Sequence, residues 1–200
     1  MESVKPVVLF SLVPITTGQL ELLPRQSITR GWFGESLERP AKFCIALDPD
    51  RLWFLFQHPN SPLNTPLHNK GEFVEGLHTY DVGELFMMDE KGDYVEFNVS
   101  GDGAWWHMSF DGYRSRRKVV RCKRFSALEV KDAGDGWVAC LAFERKELDI
   151  VVGRETRFQV AGYIYNGGQP TYLTTAGRPD YEPDFHTERS FQLADWREIL

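Results

Sequence analysis

The 200-residue chain lacks any apolar run long enough to cross a bilayer as a helix, which takes about 20 predominantly apolar residues. Its early apolar stretch, Val7 to Pro14, is short and is followed by polar residues without a small-residue cleavage site. It reads as a first strand rather than a signal peptide. Cysteine is scarce and odd in number: Cys44, Cys122 and Cys140, with no Cys-x-x-Cys pair and no zinc-finger spacing. Cys44 and Cys140 lie in apolar runs as small buried hydrophobes, which fits a reducing compartment and favours the cytoplasm. No Gly-Lys-Ser/Thr phosphate loop and no Gly-x-Ser-x-Gly nucleophile elbow is present. No window shows a sustained 3.6-residue period, so no major helix is expected. The net charge of −6 leaves no general basic field, and neither a nucleic-acid partner nor a membrane is expected. The local run Arg114, Arg116, Arg117, Lys118, Arg121, Lys123, Arg124 is an exception that a solvated strand pair or an anion patch explains.

Rings, by contrast, are plentiful: fourteen Phe, seven Tyr and six Trp, a composition suited to half-buried sheet surfaces. Short apolar runs are punctuated by Gly, Pro, Asn and Asp, the pattern of a sandwich or barrel, and no linker divides the chain. The expectation is one all-β domain over residues 1–200, a largely antiparallel β-sandwich. Residues 41–47 and 51–57 flank Asp48-Pro49-Asp50 as a hairpin. Residues 84–88, 94–99 and 104–110 read as a three-strand meander. Further strands are expected over 118–124, 128–131, 137–143 and 156–165. One helical turn is expected near 144–148, and a strand or short helix over 191–200 that caps an open end. Residues 19–40 give no clear pattern.

Side chains two apart on a strand share a face. Val95, Phe97 and Val99 therefore face the core, while Tyr94, Glu96, Asn98 and Ser100 face outward. On this reading Phe97→Ala is destabilising and Asn98→Ala barely alters folding. Glu84, Phe86 and Met88 form one set, and Arg157, Gln159, Ala161, Tyr163 and Tyr165 another. Trp105, His107 and Ser109 share a face opposite Trp106, Met108 and Phe110, and Trp53 shares a face with Arg51, Leu55 and Gln57. If the mixed polar-aromatic sets align, one outer face combines Trp53, Glu84, Glu96, Asn98, Trp105, His107, Arg157 and Tyr163. Such a face suits a mono- or oligosaccharide, whose C–H surfaces pack on rings and whose hydroxyls bind carboxylates, amides and guanidinium groups.

Asp81-Val82-Gly83-Glu84-Leu85-Phe86, then Tyr94 to Ser100, Gly103-Ala104-Trp105-Trp106 and the late Pro183-Asp184-Phe185-His186 occur in an order and spacing that resembles the DOMON-like proteins grouped with family 9 carbohydrate-binding modules. The resemblance spans much of residues 41–193. It implies a jelly-roll-like antiparallel β-sandwich, a non-catalytic sugar-binding surface, and in some relatives a structural calcium. Of the site residues, Glu84, Glu96 and Asn98 belong to the matching motif. Other readings stay open beside it. Glu84 and Glu96 could act as the paired carboxylates of a glycoside hydrolase. The ring-lined face could dock a protein partner. Asp180, Glu182 and Asp184 offer oxygen ligands to calcium, although no cofactor is otherwise expected. Haem is disfavoured because His107 and Met108 point to opposite faces.

Overall fold

The structure is a computed structural model that describes residues 3–62, 65, 69–117, 125–132 (backbone alone), 136–165, 167–177 and 181–199. Lys118, Arg121, Cys122, Lys123, Arg124 and Asp180, and the strand expected over 118–124, lie outside the described residues.

The chain runs β1 (Val7–Phe10), α1 (Thr17–Leu22), β2 (Gln26–Arg30), β3 (Ser36–Leu47), β4 (Arg51–His58), β5 (Val82–Met88), β6 (Tyr94–Ser100), β7 (Trp105–Phe110), β8 (Phe125–Asp132), β9 (Trp137–Glu144), β10 (Arg157–Tyr165), β11 (Pro170–Thr174), β12 (Gln192–Leu193) and β13 (Asp195–Glu198). A first sheet has the order β13-β1-β3-β4-β9-β8, with β2 also on β3, and a second has the order β11-β10-β5-β6-β7, with β12 also on β10. Pairing is antiparallel except that β1 runs parallel to both β3 and β13. The β-sandwich, the β3-β4 hairpin and the β5-β6-β7 meander are as expected, and the turn near 144–148 is a 3-10 turn over Arg145–Glu147. The unreadable stretch 19–40 holds α1 and β2 and starts β3, and the final residues extend the first sheet as β13.

Local chemistry explains the hairpin that opens the first sheet. Asp48 is buried, and its Oδ1 accepts from the backbone N–H groups of Asp50 (2.8 Å) and Arg51 (2.7 Å). Its Oδ2 accepts from Ile15 N–H (3.0 Å) and from the Trp53 indole (2.8 Å). Burial pushes the Asp48 carboxyl up, but these hydrogen bonds outweigh it and hold the pKa below the usual range. Between the sheets lies the main core. Leu85, Val95, Phe97, Val99, Phe158 and Val160 of the second sheet meet Phe43, Ile45, Phe54, Phe56, Leu141 and Phe143 of the first. Gly83 of β5 and Gly162 of β10 are cross-strand partners, and both lie under the Phe56 ring. A Cβ on Gly83 would stand 2.2 Å from Phe56 Cγ, so only glycine admits that ring so close to the sheet.

Candidate functional site

The two outer faces carry different cover. Beyond the first sheet, Leu9, Ile15, Leu20, Cys44, Ala46, Trp53, Leu55, Cys140 and Ala142 form an apolar cluster, with Ile15 just before α1 and Leu20 on it. Beyond the second sheet, segments around residues 72–80, 111–117 and 181–191 rise over the strands and leave a cavity of about 400 Å³.

Register decides which side chains reach that cavity. Glu84 is opposite Asn98, Phe86 opposite Glu96, Asn98 opposite Trp106, and Glu96 opposite Met108. Cross-strand partners share a face, so the outward tryptophan is Trp106. Trp105 belongs to the core, where its indole N–H donates to the Gly71 carbonyl (3.0 Å). His107 likewise points inward: it stacks on Phe97 (4.5 Å), and its Nδ1–H donates to the Glu96 carbonyl (3.0 Å). The adjacent Trp105-Trp106 pair offers no polarity contrast from which to read its facing. Trp53 is on the far sheet, sealed in the apolar cluster. Arg157 does lie on the β10 face expected, but at its far end, opposite Met88 and paired with Glu188 (2.8 Å) outside the cavity. Of the expected set, the structure therefore brings Glu84, Glu96 and Tyr163 to the cavity, with Asn98 buried beside Glu96, and excludes Trp53, Trp105, His107 and Arg157.

The cavity floor is rich in hydrogen-bond acceptors. Glu84 and Glu96 both line it and are 2% and 4% exposed. Asn98 Nδ2 donates to Glu96 Oε1 (3.0 Å), while Asn98 Oδ1 has no partner; nor does Oε1 of nearby Gln159. Burial, reinforced by the neighbouring Glu96, pushes the Glu84 carboxyl well above the usual range. Burial also pushes Glu96 up to about 7, against the pull of Asn98, Arg116 and Arg114.

Rings form the walls, and most are clamped. Glu75 accepts from the Trp106 indole (3.0 Å) and from Arg116 (3.2 Å), whose guanidinium lies 5.7 Å from the Trp106 ring centroid. Tyr94 stacks on Phe110 at 4.4 Å. Tyr163 donates to the hydroxyl of Tyr172 (2.9 Å), and burial followed by that contact raises the Tyr163 pKa. Phe185 packs edge-on against Trp32, Phe86 and Tyr172. The neighbouring Asp184 accepts from Tyr113 (2.6 Å), Arg114 (2.8 Å) and its own loop's His186 N–H (3.0 Å). Asp184 is thus committed to fastening the loop, and Asp180 of the expected Asp180, Glu182 and Asp184 set lies outside the described residues. No group of three or more metal-ligating side chains occurs among the described residues.

Sequence reasoning missed Trp106, Arg114, Arg116, Tyr172 and His186. Two of them start the basic run, and His186 ends the Pro-Asp-Phe-His motif, so signals existed without a geometry to place them.

No protein-family model matches the chain, and no curated protein does. Solved structures do match. A candidate carbohydrate-binding protein from Bacteroides uniformis ATCC 8492 superposes with a TM-score of 0.75 at 10% identity, over 96% of this chain and 100% of that one. A family 9 carbohydrate-binding module from Caldicellulosiruptor kristjanssonii, in complex with cellotriose, has a TM-score of 0.62 at 12% identity over 97% and 95% of the two chains. The fold is that of the family 9 carbohydrate-binding modules. A glucose complex of a module from the same organism and family gives a TM-score of 0.63 at 10% identity, over 96% and 97%. The resemblance of the motifs to family 9 carbohydrate-binding modules is thus borne out at the level of fold.

Proposed function

We propose that the cavity on the second sheet binds a mono- or oligosaccharide without chemical change. The observation that carries this reading is the juxtaposition in one cavity of fixed rings with two buried carboxyl groups, Glu84 and Glu96. Rings receive the C–H face of a pyranose, Glu84 and Glu96 receive its hydroxyl protons, and Asn98 holds Glu96 in place. The rim arginines are neutralised by Asp184 and Glu75, which suits an uncharged ligand. The fold shared with modules seen bound to glucose and cellotriose supports the same class. Isothermal calorimetry with glucose, cello-oligosaccharides and a broader glycan panel tests it, with saturable binding expected. A folded chain, verified by circular dichroism, that binds none of them would remove the reading.

One observation favours a second reading, glycoside hydrolysis. Two buried carboxyls with raised pKa values line the same cavity, and a general acid needs such a proton at neutral pH. Release of nitrophenol from aryl glycosides, lost in Glu84→Gln and Glu96→Gln, would establish it. Binding without release leaves the carboxyls as hydrogen-bonding groups.

A further inference from the structure

We propose that His186 and Glu96 form a clip for one ligand hydroxyl, which accepts from the imidazole Nε2–H and donates its own proton to the carboxylate. The inference rests on the sugar-binding reading and adds to it a named pair of atoms and a selectivity.

Arg114 is held in the left-handed region at φ 53°, and its N–H donates to the Tyr94 hydroxyl (3.0 Å). That hydroxyl lies 2.8 Å from His186 Nδ1. A phenol has one proton to give. The Tyr94 oxygen accepts the Arg114 N–H, and in the proposed arrangement its single proton goes to Nδ1. A neutral imidazole that accepts at Nδ1 carries its hydrogen on Nε2. Burial, with Arg114, His78 and Arg116 nearby, outweighs the opposing pull of Asp184 and keeps the ring neutral, its pKa lowered to about 4.

The Nε2–H then faces Glu96 Oε2 across 3.8 Å, beyond hydrogen-bond reach. Both residues line the cavity. The other Glu96 oxygen is held by Asn98, and the imidazole is fixed by edge contacts with Phe86 (5.5 Å) and Phe110 (5.2 Å). An oxygen about 2.8 Å from each of the two atoms completes a triangle with them, its apex about 2 Å to the side of the line that joins them. The pair presents one donor and one acceptor. A hydroxyl answers both, a methoxy group has no proton for Glu96, an ammonium has no lone pair for Nε2–H, and a deoxygenated carbon answers neither. The site therefore reads a free hydroxyl at one ring position.

Two measurements on the full chain test the clip, both on the alkaline side of the Glu96 midpoint near 7. Nitrogen-15 spectra of the imidazoles should show His186, assigned by its loss in His186→Gln, as the neutral Nε2–H tautomer. Tyr94→Phe should shift it toward a mixture. A ring protonated on Nδ1, or on both nitrogens, overturns the proposal. Calorimetry should then find that one monodeoxyglucose binds at least about tenfold more weakly than glucose. That penalty should shrink in His186→Phe, or by less in Tyr94→Phe if the first variant does not fold, while the other deoxy positions keep theirs. Native-like discrimination in folded variants removes the clip alone, whereas no hexose binding by the native chain removes the sugar reading as well.

Discussion

The outer faces of the two sheets are equally buried yet differently built. On the first sheet, Trp53, Leu55 and Ala142 meet Ile15 and Leu20, and the face closes as an apolar cluster. On the second, Glu84, Glu96 and Asn98 stand at the same depth, but the covering segments leave space above them. Depth alone therefore does not separate a sealed face from a binding one. What separates them is whether the buried groups are satisfied. The Trp53 indole has Asp48, whereas Asn98 Oδ1 and Gln159 Oε1 have no partner, and a buried polar group left without one costs about 1–3 kcal/mol.

The comparison breaks first where its effects are largest. Trp53→Ala is expected to cost about 3–5 kcal/mol, as is Phe97→Ala in the shared core. Denaturant titration checks both, and the folded fraction of the Trp53 variant should keep full sugar affinity. If affinity falls with Trp53, the sealed face is part of the site. Trp106→Ala should weaken sugar binding by about 10- to 100-fold, the loss of about 1.4–2.8 kcal/mol, measured by calorimetry.

Asn98→Ala sharpens the contrast. Outward facing alone predicts little change in folding, but Asn98 is fully buried beneath the cavity and donates to Glu96. Removing that bond, partly offset by removing the orphaned Oδ1, should cost about 1–2 kcal/mol in a urea titration.

The pH dependence distinguishes the faces by sign. Glu84 and Glu96 bind a proton more tightly in the folded chain than in the unfolded one. They favour folding below the ordinary carboxylate value of 4.5, and that contribution is lost as pH rises through about 7 for Glu96 and through the raised pKa of Glu84. His186, lowered to about 4, acts oppositely between that value and 6.5. The clean window is therefore above pH 6.5. There the urea midpoint should fall with rising pH in the native chain and fall less in Glu84→Gln and Glu96→Gln.

Arg157→Ala should have the smallest effect, within about 0.5 kcal/mol in stability. Its partner Glu188 is largely exposed, and solvent screens the pair. Sugar affinity should not change, because the guanidinium lies outside the cavity.

Much of the second sheet was legible in the sequence because alternation there is sharp. In Tyr94 to Ser100 apolar and polar residues take strict turns, so Phe97 inward and Glu96 outward follow from the pleat. Tyr163 followed in the same way. The alternation failed at Trp105-Trp106, where both neighbours are large and apolar, and at Trp53, where both faces of the strand are buried and no residue type marks which sheet it joins. Arg157 was read correctly as to face and misplaced along the strand, since periodicity gives facing but not position relative to a cavity.

By itself, the sequence determined a sandwich of short strands and the inward set of its central meander, because a two-residue period and turn residues act locally. The tertiary structure alone decided which strands share a sheet, which of two adjacent indoles looks outward, and that Arg114, Arg116 and His186 converge on Glu96. Those outcomes depend on cross-strand register and on loops packing from distant parts of the chain, which no local pattern encodes.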